Sequence, residues 1–376
     1  MTWQRQTKRS GELQLSLSAL CGENSGHVMI YENVNKEVET PALKLGTSLR
    51  FLYPTGPQSY EQFKRALAAL PPGGFIERPM GAFDTATQAR NLLEIAAAAN
   101  AAGMDSLLFG DNHAVPAAFA NSFSPVPTVA RLLDVTGAMQ VGMVLLAPFY
   151  APIVLAEQIG TLAAFAQAPL IVTLANGGRA LAFDAFGMKM SSRAERLEEL
   201  TTVLRMLLAG ERVNYRGRFI SLDGVQVSPL PRMPVEIWIA GTVPAAAARA
   251  GAIGDGWLSG QNSSDADVAA QLDVYREATA KSGRPMRAVL RRDIFVAETD
   301  AAAHAEVDKV LAEGYRGTGK AELLVGSAES VVERLHGYRA LGFDEVMVRH
   351  ITGDHALMLR SFALIGERVV PVIRRF

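Results

Sequence analysis

Three polar residues, Asp111, Asn112 and His113, follow directly after the apolar run SLLFG that begins at Ser106. A histidine titrates near neutral pH, so it can act as a general acid or base, or hold an anionic oxygen of a bound ring. The alternative is a histidine that only caps a loop. A position at the end of an apolar run favours the chemical role, because working residues of parallel α/β folds follow the strands. We therefore predict that His113 is catalytic.

Two glycine-containing turns follow other apolar runs and could bind an anion. The first, ANGGRALAFDAFG, offers unhindered backbone N–H groups, a polar amide and a guanidinium, which together can surround a phosphate. The second, IAGTVPAAAARAG, leads into a predicted helix whose amino-terminal dipole also attracts anions. Tight turns need glycine anyway, so each turn alone is weak support. The predicted cofactor-binding residues of these turns are Asn176, Gly177, Gly178, Arg179, Gly241 and Thr242.

Three other motifs carry little chemistry. The segment GYRGTGKA resembles the first part of a phosphate-binding loop, but Ala321 replaces the Ser or Thr that would bind magnesium. No GxGxxG follows a predicted strand, so a Rossmann-type nicotinamide site has no support. His350, Asp354 and His355 lack the spacing of a metal site, and we predict no metal. We assign His350 instead to the lining of a substrate pocket.

The elements around these turns alternate between short β-rich runs and longer stretches of helical periodicity, which is typical of parallel βα units. Eight candidate strands begin at Leu43, Ser106, Met139, Leu170, Val235, Gly256, Ala288 and Glu345. Eight strands that are separated by helical crossovers, without a break in composition, favour an α/β fold of the closed (β/α)8 TIM-barrel type. A doubly wound open sheet is the alternative fold.

Two segments fall outside this scheme. Residues 1–41 are predicted to be an N-terminal extension that wraps the barrel or stays mobile, and residues 42–376 to form the barrel domain. In the segment ERVNYRGRFISLDGVQVSPLPRMP, Arg216 and Gly217 separate two β-prone runs. We predict that this segment is a hairpin inserted in a loop.

The composition argues against several classes of partner. The 37 Lys and Arg residues nearly cancel the 38 Asp and Glu residues, so no overall field attracts nucleic acid or an anionic membrane. The single cysteine, Cys21, cannot form an internal disulfide, which suits a reducing compartment. The amino terminus is too polar for a secretory signal, and the longest apolar run, near residues 139–147, is too short to span a bilayer. We expect a soluble cytoplasmic protein.

Four segments together resemble the bacterial luciferase-like monooxygenase superfamily, and the resemblance covers nearly everything from Leu43 to Phe376. The segments are LAPFYAPIVLAEQIGTLAAFAQAPLIVTLANGG, FDAFGMKMSSRAERLEELTTVLRMLLAGERVNYRGRFISL, VEIWIAGTVPAAAARAGAIGDGWL and LLVGSAESVVERLHGYRALGFDEVMV. Any one of them could arise by chance, whereas all four in this order are specific.

The resemblance implies a (β/α)8 barrel, often dimeric, that takes reduced FMN or a reduced deazaflavin at the carboxyl ends of its strands. We expect a homodimer and, as the first reading, a reduced-FMN-dependent monooxygenase of the two-component type. Such enzymes oxygenate a small organic substrate with O2 through a C4a-(hydro)peroxyflavin, and a separate NAD(P)H-dependent flavin reductase supplies the flavin. The alternatives are a deazaflavin-dependent oxidoreductase that transfers a hydride and a non-catalytic flavin-binding relative.

The resemblance also implies roles for individual residues. His113 matches the active-site histidine of the family, with a role in proton transfer or in stabilising the peroxide. Asn176 begins a turn that matches the family's loop after the fourth strand. Gly241 and Thr242 match a phosphate-binding turn after the fifth strand. All of these residues are therefore expected at one face of the barrel.

Leu146 and Ala147 fall where many members have a non-prolyl cis peptide bond against the flavin ring, so we predict that this pair binds the cofactor through such a bond. The apolar loop after the histidine carries Phe119 and Phe123, which we assign to a hydrophobic substrate pocket. Deazaflavin-dependent sugar-phosphate dehydrogenases have a tryptophan four residues beyond the histidine, where this chain has Ala117. This departure counts against their chemistry in this chain.

Overall fold

Eleven β-strands lie in the part of the chain that the computed structural model describes, residues 42–49, 84–114, 123–261, 263–312 and 320–375. They are β1 (Lys44–Leu49), β2 (Ser106–Gly110), β3 (Gln140–Leu146), β4 (Ile171–Ala175), β5 (Val213–Arg216), β6 (Ser221–Val225), β7 (Glu236–Gly241), β8 (Gly256–Ser259), β9 (Ala288–Val296), β10 (Leu324–Gly326) and β11 (Glu345–His350). Eight of them pair in parallel in the order β1, β2, β3, β4, β7, β8, β9, β11. Because β11 also pairs with β1, the ring is closed. The predicted (β/α)8 barrel is confirmed, and the alternative of an open sheet is wrong.

Helices pack around the outside of this ring. They are Thr85–Ala101, Pro125–Thr136, Pro152–Phe165, Ala180–Ala185, Arg193–Leu208, Pro244–Ile253, Asp265–Ser282, Asp300–Ala312, Ala328–Leu341, His355–Leu364 and Val370–Ile373. Proline opens the helices at Pro125, Pro152 and Pro244, where its missing N–H costs nothing. Left-handed glycines, Gly283 and Gly342, end two others. Within the described residues, no helix is both long and apolar enough to cross a membrane.

The inserted hairpin is confirmed, because β5 and β6 pair antiparallel. The buried carboxylate of Glu199 accepts three backbone N–H bonds from the turn of the hairpin, from Arg218, Phe219 and Ile220 at 2.7–3.0 Å. These bonds fix the hairpin against the helix that carries Glu199. β10, which pairs with β9 outside the ring, was not predicted, since three residues are too few to show a strand period. The predicted extension, residues 1–41, lies outside the described residues.

Side chains inside the ring form layers, because residues along a strand alternate between the interior and the exterior. At the amino ends of the strands, Arg287 donates to Glu236 at 2.7 Å, to Glu345 at 2.9 Å and to Gln140 at 3.2 Å. The hydroxyl of Ser106 donates to Glu345 as well. This polar layer fills the lower end of the barrel.

A second layer, which is apolar, lies two residues further along the strands. Its members are 0–1% exposed and come from six strands of the ring: Leu108, Ile171, Trp238, Leu258, Val289 and Met347. The positions beyond this layer reach the carboxyl ends of the strands, which we call the mouth of the barrel. A larger core fills the space between the strands and the surrounding helices. The two cores hold the strands rigid, so the loops at the mouth start from fixed points.

Candidate active site

Asp111 and His113 lie at the mouth, directly after β2. Oδ2 of Asp111 is 3.0 Å from Nε2 of His113, and the aspartate side chain is 0% exposed whereas the histidine side chain is 26% exposed. The same Oδ2 accepts the backbone N–H of Leu146 at 3.0 Å and the hydroxyl of Tyr150 at 2.9 Å. The buried carboxylate therefore ties the loop after β2 to the loop after β3.

The protonation of this cluster follows from its burial. Burial and the negative charge of Asp111 raise the pKa of Tyr150 far above its ordinary value, so the hydroxyl stays protonated and donates to Asp111. Oδ1 of Asp111 and Nε2 of His113 have no hydrogen-bond partner among the described residues. The contact between the two side chains is thus at ion-pair distance without the alignment of a hydrogen bond. Because Nε2 is buried against the carboxylate, Nδ1 is the ring nitrogen that suits proton transfer to a bound molecule.

An aromatic wall lies against the histidine: Phe149 and Phe186 contact its ring, and Phe183 packs on Phe149 at 4.9 Å between ring centroids. The ring centroids of Phe149 and Phe186 each lie 5.5 Å from that of His113 in edge-on geometry. The two phenylalanine rings stack on each other at 4.5 Å. Our sequence analysis missed this wall. The segments LAPFYAP and FDAFG, which follow β3 and β4, contained the signal.

The turn after β4 joins the same mouth. Nη1 of Arg179 donates to Oδ1 of Asn112 at 2.8 Å, which connects this turn to the loop after β2. Gly177 has a φ of +70°, a left-handed conformation that glycine adopts without strain. A Cβ on Gly178 would meet nothing within 4 Å, and Oδ1 of Asn176 is buried without a hydrogen-bond partner among the described residues. The turn thus offers open space and an unpaired polar atom to a ligand.

Gly241 ends β7, the neighbour of β4 in the ring, and Thr242 follows it. A Cβ on Gly241 would overlap the methyl group of Ala246, so glycine lets the helix Pro244–Ile253 pack closely against its strand. Thr242 is exposed just before this helix, where free N–H groups and the helix dipole favour an anion. The predicted residues after β2, β4 and β7 therefore lie at the same end of the barrel.

The predicted cis bond is wrong. The Leu146–Ala147 bond is trans, and in the described part of the chain the cis bond is Ser228–Pro229. Ala147 starts a 3-10 turn that the N–H of Tyr150 closes on the carbonyl of Ala147 at 3.2 Å. This turn forms with the trans isomer, which non-prolyl bonds favour by about 3 kcal/mol. Leu146 still lies at the mouth through its bond to Asp111, whereas Ala147 is buried.

His350 does not line the mouth, and its assignment to a substrate pocket is wrong. Met347 belongs to the apolar layer inside the ring, so His350, three positions further along β11, faces outward. Its side chain is buried, and its ring lies 4.3 Å from that of Phe362 on a surrounding helix. Burial lowers the pKa of His350 to about 3, so the ring is neutral near pH 7.

The remaining predicted residues are placed in part. Phe123 packs against the core between strands and helices, and its contact with a substrate stays a prediction. Phe119 and Ala117 lie outside the described residues. In the ranges that the structure describes, no group of three His, Cys, Asp or Glu side chains is placed to hold a metal ion.

The fold and the site together define a (β/α)8 barrel with a histidine beside a buried aspartate and two glycine-containing turns at its mouth. A family profile described as "Luciferase-like monooxygenase" matches residues 73–345, more than half of the chain. The chain belongs to this family of oxidoreductases.

Two curated relatives are named for the deazaflavin coenzyme F420. The chain is 29% identical over 193 residues to the F420-dependent hydroxymycolic acid dehydrogenase of Mycobacterium tuberculosis, a match of 49% of this chain and 53% of that protein. It is 30% identical over 205 residues to the F420-dependent glucose-6-phosphate dehydrogenase of Kineococcus radiotolerans, covering 51% and 59% of the two proteins. The chain thus matches little more than half the length of these relatives.

A solved structure with a similar fold contains FMN. It is the oxygenating constituent of 3,6-diketocamphane monooxygenase of Pseudomonas putida, a type II Baeyer–Villiger monooxygenase. The TM-score is 0.65 at 16% sequence identity, over 88% of this chain and 98% of that chain. At this identity the likeness concerns the fold alone.

Proposed function

We propose that this protein is an oxidoreductase that transfers a hydride between a small organic substrate and the deazaflavin coenzyme F420. The sequence analysis placed reduced FMN first, whereas the F420 dependence of the curated relatives favours the deazaflavin alternative. The observation that carries the catalytic part of the proposal is the pair of Asp111 and His113, 3.0 Å apart at the mouth of the barrel.

The residues of the mouth fit a flavin-like coenzyme. Thr242 and the free N–H groups of the following helix suit its phosphate, and the open space at Gly178 admits a ligand beside the unpaired amide oxygen of Asn176. The aromatic wall covers one side of His113 and excludes water there. When bound, a deazaflavin supplies a hydride acceptor or donor that reacts poorly with oxygen.

The chain itself supplies the proton chemistry. Nδ1 of His113, the ring nitrogen that faces away from Asp111, takes up the hydroxyl proton of an alcohol as the adjacent carbon loses its hydride, and it returns the proton in the reverse direction. The buried carboxylate of Asp111 stabilises the positive charge that the imidazole gains. Tyr150 and the N–H of Leu146 hold that carboxylate in place.

Coenzyme choice is tested by fluorescence titration of the protein with F420 and with FMN. We expect F420 to bind at least about tenfold more tightly, a difference of about 1.4 kcal/mol. Thr242→Asp should weaken F420 binding by a similar factor, because it adds a carboxylate where we place the phosphate. Thr242→Ser is the matched control and should bind like the wild type. Tighter binding of FMN would overturn the choice of coenzyme.

The catalytic role is tested with His113→Ala. We expect turnover to fall about a hundredfold or more, the usual contribution of a general acid or base, with the Kd for F420 unchanged within about twofold. Unchanged turnover would show that His113 is structural. No turnover with any alcohol or ketone in the wild type, despite tight F420 binding, would favour the non-catalytic relative.

A second candidate is the reduced-FMN-dependent monooxygenase, which the fold of the FMN-bound neighbour supports. Its partner would be a separate NAD(P)H-dependent flavin reductase. The test is oxygen uptake in the presence of such a reductase, FMN and NAD(P)H. Substrate-dependent uptake that is coupled to oxygenated product would establish this activity, whereas uptake that yields only peroxide would contradict it.

A further inference from the structure

Three charged side chains at the mouth have no role in the proposed reaction so far. Arg291 and Asp293 on β9 and Arg349 on β11 are each an even number of positions beyond Val289 or Met347, which belong to the apolar layer inside the ring. Strand alternation therefore directs all three into the mouth. We call them the arginine cluster.

The neighbouring Arg292 confirms this direction. Its guanidinium bonds outward, to the hydroxyl of Tyr338 at 3.1 Å and to Asp265 at 2.7 Å, both on surrounding helices. Arg291 turns the other way and reaches Oγ of Ser48 on β1 at 3.3 Å. Arg291 and Arg292 thus point to opposite faces of β9 although they are adjacent in sequence.

The arginine cluster carries an excess of positive charge. Arg349 forms a buried ion pair with Asp293 and donates to Oε1 of Gln261 at 2.9 Å. Among the described residues, Arg291 has no carboxylate at ion-pair distance. In the same part of the chain, three buried atoms of the cluster lack hydrogen-bond partners: Nε of Arg291, Nε of Arg349 and Oδ1 of Asp293. Two guanidinium groups and one carboxylate leave a net charge of +1.

Electrostatics within the cluster favour an additional anion. Burial, together with the positive charge of Arg349, lowers the pKa of Arg291 to about 10, so its guanidinium is still charged at pH 7. The two arginines repel each other at short range, and an anion that contacts both would relieve this repulsion. A net charge of +1 matches a monoanion, as a carboxylate is, better than a phosphate dianion. A planar carboxylate also fits the guanidinium fork.

The location of the cluster separates it from the coenzyme. In the ring of eight, β11 lies four strands from β4 and β9 lies four strands from β3 and two from β7, so the arginine cluster is outside the arc that runs from β2 to β7. The loops that favour the coenzyme occupy this arc of the mouth, together with His113, which follows β2. A substrate that spans the mouth would present its reacting carbon to His113 and its anionic group to Arg291.

We propose that Arg291, supported by Arg349, binds the carboxylate of the substrate. The substrate class is then a carboxylic acid. The catalytic meaning of this site rests on the proposed function. Arg291 is a binding residue in this scheme, and Asp293 and Gln261 position Arg349 beside it.

The test titrates the protein without coenzyme by calorimetry, with hexanoate as the probe, hexanamide as its neutral counterpart and inorganic phosphate as a second oxyanion. We expect saturable hexanoate binding that Arg291→Gln weakens at least about tenfold and Arg291→Lys weakens less. Arg368→Gln removes the same charge from an exposed ion pair with Glu298, and it should bind hexanoate like the wild type. Thermal unfolding of each variant verifies that it is folded.

Several results would overturn the inference. Hexanoate that does not bind, hexanamide that binds as well as hexanoate, or an Arg291→Gln protein with unchanged hexanoate affinity would each exclude a carboxylate site at this residue. Tighter binding of phosphate would contradict the choice of carboxylate. If Arg291→Gln weakened F420 as much as hexanoate, the cluster would belong to the coenzyme. Hexanoate binding is measured without coenzyme, and Thr242→Asp should leave it intact. A failure of the proposed F420 chemistry can therefore be distinguished from a failure of the carboxylate site.

Discussion

Replacing Asp111 by Asn tests how much the buried carboxylate contributes to proton transfer at His113. The exchange keeps the size of the side chain, and the amide oxygen can still accept the N–H of Leu146 and the hydroxyl of Tyr150. Only the negative charge beside the imidazole is lost. The variant therefore separates electrostatics from positioning.

The distance between the two groups sets the magnitude. For unit charges 3.0 Å apart, an effective dielectric constant of about 20 gives an attraction of about 5 kcal/mol. If about half of the charge has developed in the transition state, the loss is about 2 to 3 kcal/mol. This loss corresponds to a fall in turnover of roughly 30- to 160-fold.

The assay is single-turnover reduction of F420 by the substrate, followed by the absorbance of the coenzyme. F420 affinity and thermal stability are measured on the same preparation. Tyr150→Phe is the control, because it removes one hydrogen bond from Asp111 but keeps the carboxylate, and we expect less than about a tenfold effect. A rate for Asp111→Asn within about twofold of the wild type, in a folded protein that binds F420 normally, would refute the reasoning.

Two further predictions concern stability. A Cβ on Gly46 would overlap Oγ of Ser106 and Oε1 of Glu345 in the polar layer, so Gly46→Ala should lower the free energy of unfolding by about 1 to 3 kcal/mol. Urea denaturation measures this loss. Gly178→Ala is the control, because its added methyl meets nothing within 4 Å, and an equal loss of unfolding free energy in both variants would contradict the prediction. Burial lowers the pKa of His350 from 6.5 to about 3, so the unfolded chain binds more protons between these values. The free energy of unfolding should then be constant above about pH 6.5 and fall below it by up to about 1.4 kcal/mol per pH unit, and His350→Leu should flatten this slope. An unaltered slope in that variant would assign the acid sensitivity to other groups.

The barrel was predictable because its strands are buried on both faces. Such strands appear in the sequence as short apolar runs between helical stretches, and each of the eight runs contains one strand of the ring. His113, Asn176 and Thr242 were predictable for the same reason, since each follows a run directly and parallel strands end on one side of a barrel. The three residues of strand β10 are too few to show such a pattern.

The arginine cluster was not predictable, because the residues of β9 are buried or partly buried on both faces of the strand. Such a strand shows no alternation between polar and apolar residues that would reveal which side chains face the interior. In the segment RRD the sequence does not tell which arginine faces the interior. The register of β9 against its neighbours decides this, and it places Arg291 inside and Arg292 outside. The same ambiguity led to the wrong assignment of His350, whose place at the end of β11 resembled that of a mouth residue.

The polar layer around Arg287 gives the barrel a sealed base. Coenzyme and substrate must therefore both enter at the mouth, the end of the barrel opposite this layer. Dead-end inhibition patterns in steady-state kinetics would measure whether one of the two must bind before the other.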